Sequence, residues 1–232
     1  MTIEAPTAAQ VLLAIKSNNI ENVLMMILRS LPPSPFGRKV RLAASVLGLS
    51  GDIKVEAADT NDANDSIRQQ NPLGKIPTLV LEDGTTLFDS RVIVEYLDHR
   101  AGGGKIIPAE PKARFATLRL QALADGITDA QILVLYEGRF RPAERHEPKW
   151  VDYQQGKVER GLAALEAMSL QAMSLPPAGK VPDAGQIAVA CMLGHRDLRF
   201  QGDWRKNHPK LVAWLDGFAA AVPAFNATKV TP

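Results

Sequence analysis

The chain has 232 residues, of which 46% are hydrophobic and 22% charged, and its formal net charge is +2. This composition is typical of a globular protein with one large or two modest domains, and it argues against a disordered chain. Basic residues are spread rather than clustered, so no nucleic-acid surface is expected. No apolar run reaches the ~20 residues that cross a bilayer, so no membrane span is expected.

Cysteine and histidine usage narrows the chemistry further. The single cysteine, Cys191, excludes an intramolecular disulfide and a Cys-x-x-Cys site. The four histidines are scattered without the spacing of metal ligands, and the N-terminus lacks the pattern of a signal peptide. We therefore expect a cytoplasmic protein that uses no metal.

Short β-type runs alternate with helical patterns before residue 101, which indicates an α/β domain. In chain order the predicted elements are a strand over 23–28, a helix from 35, strands over 53–57, 76–81 and 86–88, and a helix from 91. The pair Asp83-Gly84 favours a tight turn, so the last two strands are expected to form an antiparallel hairpin.

The second half of the chain has helical periodicity throughout. Residues 101–109 are glycine-rich and end near a proline, which predicts a flexible linker. The sequence then predicts an all-α domain over 110–225, in which Asp183 and Gln186 form a capping box for a helix that buries Cys191 on its apolar stripe. Residues 1–24 precede the first strand and are predicted to be an N-terminal extension.

Three polar segments lie at the ends of elements in the α/β domain. Ser34 precedes a helix, with its hydroxyl near the positive end of the dipole, and helix capping alone accounts for it. Pro77, after Ile76, is placed to open a strand because proline has no N–H to give a sheet. Asp89 and Ser90 precede the next helix, where a carboxylate beside free amides suits a ligand with an ammonium and a carboxylate group. Capping by Ser90 is the simpler interpretation there.

Taken together, these segments resemble the glutathione transferase family in their order and spacing. The residues that carry the resemblance are Ser34-Pro35-Phe36 with Arg38-Lys39-Val40-Arg41, then Asn71-Pro72-Leu73-Gly74-Lys75-Ile76-Pro77, then Phe88-Asp89-Ser90-Arg91, and later the helix from Asp183 and the segment 204–214. The resemblance covers about residues 25–220. It implies a thioredoxin-like domain over 25–100, an all-helical domain after it, and a homodimer.

The resemblance also implies roles for particular residues. Ser34 stands where serine-type members bond the glutathione sulfur, and Pro77 stands at the family's cis-proline. The residues implied for glutathione binding are Ser34, Phe36, Lys75, Ile76, Pro77, Asp89 and Ser90. The residues implied for the pocket of a hydrophobic electrophile are Leu31, Phe36, Ile127 and Tyr136. Asp89 is shorter than the glutamate that is commoner in the family.

The expected function is conjugation of glutathione, as co-substrate, to a hydrophobic electrophile. A free thiol has a pKa of about 8.5, so a hydrogen bond from Ser34 is needed to favour the reactive thiolate. Arg38 and Lys39 are expected on a solvated helix face. Ether cleavage, dehalogenation and non-catalytic binding remain alternatives, whereas the absence of a cysteine near residue 34 argues against a cysteine-type reductase.

Overall fold

A computed structural model of the chain describes residues 25–168, 174–176 and 180–230. The extension predicted for residues 1–24 lies outside these ranges. The elements of the N-terminal half are β1 (Met26–Arg29), α1 (Pro35–Val46), β2 (Ile53–Glu56), α2 (Ile67–Gln70), β3 (Thr78–Val80), β4 (Thr86–Leu87) and α3 (Ser90–Arg100). The strands form one mixed sheet in the order β2-β1-β3-β4, and this half has the predicted thioredoxin-like fold.

Strand register determines which loops meet. β1 pairs in parallel with β2 and antiparallel with β3, and Arg29 at the end of β1 faces Thr78 at the start of β3. β4 runs antiparallel to β3, which confirms the predicted hairpin. The end of β1, the start of β3 and the end of β4 therefore lie at one edge of the sheet. We call this the site edge.

The C-terminal half is helical, as predicted. Its helices are α4 (Pro111–Phe140), α5 (Pro148–Ala167), α6 (Ala184–Phe200), α7 (Pro209–Ala221) and α8 (Pro223–Ala227). The predicted capping box opens α6: Asp183 N donates to Gln186 Oε1 and Gln186 N donates to Asp183 Oδ1, both at 2.9 Å. The prediction of a single apolar stripe on α6 understates the burial of this helix. Residues 184–193 are all buried between α4 and α1.

The glycine-rich segment after α3 is not loose, contrary to the prediction of a flexible linker. The buried carboxylate of Asp98 accepts hydrogen bonds from the backbone N–H groups of Gly104, Lys105 and Ile106 at 2.7–2.9 Å. The carbonyl of Ile106 in turn accepts from the N–H of Ala184 at 2.8 Å. These bonds fix the path between α3 and α4, while the boundary of the domains at 101–109 stays a prediction.

Two cations of α1 are buried, so the prediction that they lie on a solvated face is wrong. Arg38 and Lys39 retain 6% and 1% of their exposed area. The reason is that α1 packs against α3 of its own half and against α6 and α8 of the helical half, which together cover it. No helix in the described part of the chain combines the length and the apolar character that crossing a membrane requires.

Candidate functional site

Ser34 is the N-cap of α1 and lies half-buried just beyond the end of β1. Its Oγ accepts a hydrogen bond from Gly37 N at 3.1 Å, which is the capping interaction predicted from the sequence. A hydroxyl has one donor proton as well as two acceptor lone pairs, so capping leaves that proton free to bond an anion. Gly37 fits close to β1, since a Cβ there would lie 2.0 Å from Ser30 Oγ.

Asn71 bridges the loop before β3 by hydrogen bonds. Its Nδ2 donates to Lys75 O at 3.0 Å and lies 3.2 Å from Thr78 Oγ1, while the Thr78 hydroxyl donates to Lys75 O at 3.0 Å. The Ile76-Pro77 peptide that follows is cis. Within the described residues, the backbone N–H and C=O of Ile76 have no hydrogen-bond partner, so both groups are available at the site edge.

Asp89, not Ser90, caps α3, so the capping role that we assigned to Ser90 is wrong. Oδ1 of Asp89 accepts from Arg91 N at 2.9 Å, and Ser90 is the first residue of the helix, with 3% of its area exposed. Extended backbone at Asp89 is the geometry that an N-cap requires. Its side chain remains exposed at the site edge, beside the amides that begin α3.

The buried carboxylate of Asp125 links the N-terminal and C-terminal halves of the chain. Both oxygens of Asp125 in α4 accept from Lys39 Nζ, at 2.7 and 2.8 Å, and Oδ2 also accepts from Arg91 Nε at 2.9 Å. Lys39 belongs to the helix that Ser34 caps, and Arg91 to the helix that Asp89 caps. Burial lowers the pKa of Lys39, and Asp125 opposes that shift. The ion pairs of Asp125 with Lys39 and Arg91 therefore connect the two helices that Ser34 and Asp89 cap to one residue of α4.

The C-terminal part of α4 lies near the loop that follows β2. Arg139 Nη2 lies 3.4 Å from Asn61 Oδ1, which brings this end of the helix to the loop after β2. Tyr136 is 42% exposed, its ring lies 5.0 Å from that of Phe140, and Arg139 stacks over both rings. Tyr136 thus has the exposure that a pocket wall needs.

The remaining residues predicted for the electrophile pocket differ in their placement. Leu31 and Phe36 are half-buried at the start of the α1 segment. Ile127 is 2% exposed and faces α5 instead, because a Cβ at Gly161 would lie 2.5 Å from its Cγ1. We therefore do not retain Ile127 in the pocket.

Arg29 is a residue of the site edge that sequence reasoning missed. Its guanidinium donates to Ser66 Oγ at 2.7 Å, Gln70 Oε1 at 2.8 Å and Asp65 Oδ1 at 2.9 Å. These bonds hold the loop between β2 and α2. The sequence signal for this role is an arginine at the end of a β-type run. The sequence does not indicate its partners, because they lie 36 to 41 residues away.

Cys191 and His195, both on α6, are buried and unreactive in the neutral range. Burial raises the pKa of the Cys191 thiol to about 11, so it stays protonated. Burial, with help from Arg199 and Arg196, lowers the pKa of His195 to about 4. Cys191 is therefore a core residue, as predicted. Separately, the described residues contain no cluster of three His, Cys, Asp or Glu side chains able to hold a metal.

The depressed pKa of His195 makes stability pH-dependent. Between about pH 6.5 and pH 4 the unfolded chain binds a proton that the folded chain does not, so stability falls as pH falls through this window. We expect the loss of unfolding free energy between pH 7 and pH 4.5 to be about 2 kcal/mol smaller in His195→Gln than in the wild type. Urea unfolding at both pH values measures this, and equal losses would contradict the assignment.

Comparison with known proteins gives one consistent result. The family models described as Glutathione S-transferase, N-terminal domain and C-terminal domain match residues 33–100 and 136–217. The uncharacterized GST-like protein YibF of Escherichia coli K12 is 31% identical over 184 residues, which are 79% of this chain and 88% of that protein.

Two solved structures are similar over 89% of this chain and the whole of theirs. One is a glutathione transferase family member from Pseudomonas fluorescens Pf-5 with bound glutathione, at 39% identity and a TM-score of 0.81. The other is a glutathione S-transferase from Methylobacillus flagellatus KT with glutathione bound, at 37% identity and a TM-score of 0.78.

Proposed function

We propose, from the premise that this chain belongs to the glutathione S-transferase family, that it binds glutathione at the site edge and transfers its thiolate to a hydrophobic electrophile. Glutathione bound in two similar structures supports the first half of this proposal. The observation that carries the second half is the Ser34 hydroxyl, whose oxygen is used by the helix cap while its proton is free.

The proposed chemistry begins with ionisation of the thiol. A hydrogen bond from Ser34 to the thiolate, worth roughly 1.5–3 kcal/mol as a charge-assisted bond, lowers a thiol pKa by about one to two units from 8.5. The amides and dipole at the start of α1 act in the same direction. The thiolate then attacks the electrophile, forms a carbon–sulfur bond, and displaces a leaving group or opens a ring.

We propose that the tripeptide is held along the site edge by the free backbone groups of Ile76 and by the segment that begins α3. The free N–H and C=O of Ile76, next to cis Pro77, pair with the backbone of the cysteinyl residue. The carboxylate of Asp89 takes the ammonium of the γ-glutamyl end, and the start of α3 at Ser90 takes its carboxylate. Lys75, exposed beside this edge, is assigned to the glycyl carboxylate.

The electrophile is proposed to bind between the α1 segment and α4. Leu31 and Phe36 form one side of this pocket, and Tyr136 forms the other. A thiolate here also suits ether cleavage or dehalogenation, and a panel of aryl halides, aryl ethers and alkyl halides separates these reactions.

Because glutathione is kept reduced in the cytoplasm, we place the enzyme there.

A homodimer is also part of the proposal. Val92 on α3 is 46% exposed and Phe115 on α4 is 69% exposed, so apolar surface is left uncovered near the joint of the two halves. Arg114 and Glu95 form an ion pair between the same two helices. Burial of this surface by a second copy is the expected arrangement, and sedimentation equilibrium of the full chain measures it.

Glutathione binding is tested by thermal unfolding. Free glutathione at about 100 times its dissociation constant should stabilise the protein by roughly 2.7 kcal/mol. Asp89→Asn is the matched variant, since asparagine caps a helix as well as aspartate but has no charge for the ammonium group. We expect this variant to keep its own stability and to need more glutathione for the same shift. No shift at millimolar glutathione in the wild type would contradict the proposal.

The non-catalytic alternative makes a different prediction in the same assays. A binding protein gives the thermal shift but no turnover with any electrophile in the panel, and its bound thiol keeps a pKa near 8.5. An enzyme gives both the shift and turnover that depends on Ser34.

A further inference from the structure

A cavity lies behind Ser34, between the loop that follows β1 and helix α6. Its volume is about 20 Å³, which is room for one small ion, and it opens to the surface. Pro33 and Ser34 line it from the loop, and Cys191 and Leu198 from α6; none of its lining residues is acidic. It adjoins the proposed glutathione site at Ser34, whereas neither Ile76 nor Asp89 lines it.

Arg38 brings an unneutralised positive charge to this cavity. Its Nη2 donates to Phe225 O at 2.7 Å, its Nε lies 3.4 Å from Thr228 Oγ1, and its guanidinium stacks 4.1 Å from the Phe225 ring. All of these partners are uncharged. No carboxylate of the described residues lies within 4.0 Å, and Asp197, whose charge acts on Arg38, is held by Arg205 at 2.6 Å.

The third nitrogen of this guanidinium, Nη1, has no hydrogen-bond partner among the described residues. Gly194, which like Arg38 lines both this cavity and the groove beside Phe225, makes room for it: a Cβ at that position would lie 2.4 Å from Nη1. Only 6% of Arg38 is exposed. A buried charge without an opposite charge is strongly unfavourable, so the surroundings of Arg38 favour an anion.

His195 supplies a second donor to the same cavity. Its Nδ1 lies 2.7 Å from Nε2 of Gln131. With the Gln131 amide oriented in this way its nitrogen donates to Nδ1, which assigns the imidazole proton to Nε2. Nε2 has no partner in the described part of the chain, and His195 is 5% exposed. Its lowered pKa keeps the ring neutral above about pH 4, so it donates without adding charge.

We propose that this cavity binds one small monovalent anion, a halide or a short carboxylate such as formate, between Nη1 of Arg38 and Nε2 of His195. A single cation and two N–H donors match a single negative charge, since hydrogen bonds between ionised partners are among the strongest in proteins. Three prolines line the loop side of the cavity, Pro32, Pro33 and Pro35, and have no N–H groups to contribute. The small volume excludes larger anions.

The test follows thermal unfolding of the full chain, without glutathione, as bromide or formate replaces gluconate at constant ionic strength. We expect a saturable rise in melting temperature with bromide or formate. Arg38→Met should raise the dissociation constant about tenfold or more, because it removes a charged hydrogen bond. Leu198→Trp should abolish the effect by filling the cavity while keeping Arg38. Arg41→Met, which removes a cation of α1 that does not line the cavity, is the matched control and should bind like the wild type.

A crystal soaked in bromide locates the site directly. An anomalous peak between Arg38 and His195, absent in Leu198→Trp, is the expected result. The proposal is overturned if the wild type shows no saturable shift, if Leu198→Trp responds as the wild type does, or if the bromide peaks lie only elsewhere. None of these readouts involves turnover, so failure here leaves the proposed transferase function intact.

Discussion

Ser34→Ala is expected to lower the rate of glutathione conjugation at neutral pH about 10- to 150-fold, with little change in glutathione affinity. The substitution removes a charge-assisted hydrogen bond worth roughly 1.5–3 kcal/mol from the thiolate, and each 1.36 kcal/mol is a factor of ten in rate. Affinity is retained because the proposed contacts of Ile76 and Asp89 with the tripeptide are unchanged. Steady-state kinetics over a range of glutathione concentrations separates the two effects.

Because Ser34 also caps α1, the variant needs controls that separate capping from chemistry. Ser34→Ala alone should cost about 1 kcal/mol of stability through loss of the bond to Gly37 N. Ser34→Asp keeps a good cap, but an ionised carboxylate has no proton to donate and repels a thiolate. It should be as stable as the wild type and at least as inactive as Ser34→Ala, whereas Ser34→Thr should retain activity. An active Ser34→Asp enzyme would show that Ser34 only caps the helix.

Asp125→Asn should lower the free energy of unfolding by about 3 kcal/mol or more, the largest stability loss that we predict. The carboxylate is 2% exposed and neutralises Lys39, which is 1% exposed, so its removal leaves a buried unpaired charge. Arg91 loses a partner too, but its side chain is 49% exposed and can be hydrated. Urea unfolding measures the loss.

Asp129→Asn is the matched control, since Asp129 lies one turn further along α4, is exposed, and forms no ion pair with the described residues. Its effect should stay within about 0.5 kcal/mol. Combining Lys39→Met with Asp125→Leu replaces the ion pair by apolar side chains and should recover most of the loss. Equal stability of Asp125→Asn and the wild type would show that the buried pair does not join the two halves.

Local sequence signals predicted the fold because each depends on neighbours in the chain. The capping box of Asp183 and Gln186 needs only a three-residue spacing, and the Asp83-Gly84 turn only its own backbone. The cis Ile76-Pro77 bond followed from the family resemblance rather than from its low base rate.

Tertiary contacts account for what the sequence did not reveal. Lys39 is buried because Asp125, 86 residues later, neutralises it, and no periodicity within α1 contains that information. Arg38 is buried by Phe225, 187 residues away. Ile127 was implied for the pocket by the family resemblance, but it packs against α5, where the absence of a side chain at Gly161 leaves room for it. The cap of α3 was misplaced by one residue, since Asp89 and Ser90 are equally good N-caps by composition.

The pKa of the glutathione thiol in the enzyme complex tests the central claim most directly. Ultraviolet difference spectra against pH follow the thiolate in the wild type and in Ser34→Ala at saturating glutathione. A hydroxyl that donates to the sulfur predicts a wild-type pKa of about 6.5–7.5 and a return toward 8.5 in the variant. A wild-type thiol that titrates near 8.5, or an identical pKa in both proteins, would contradict the role proposed for Ser34.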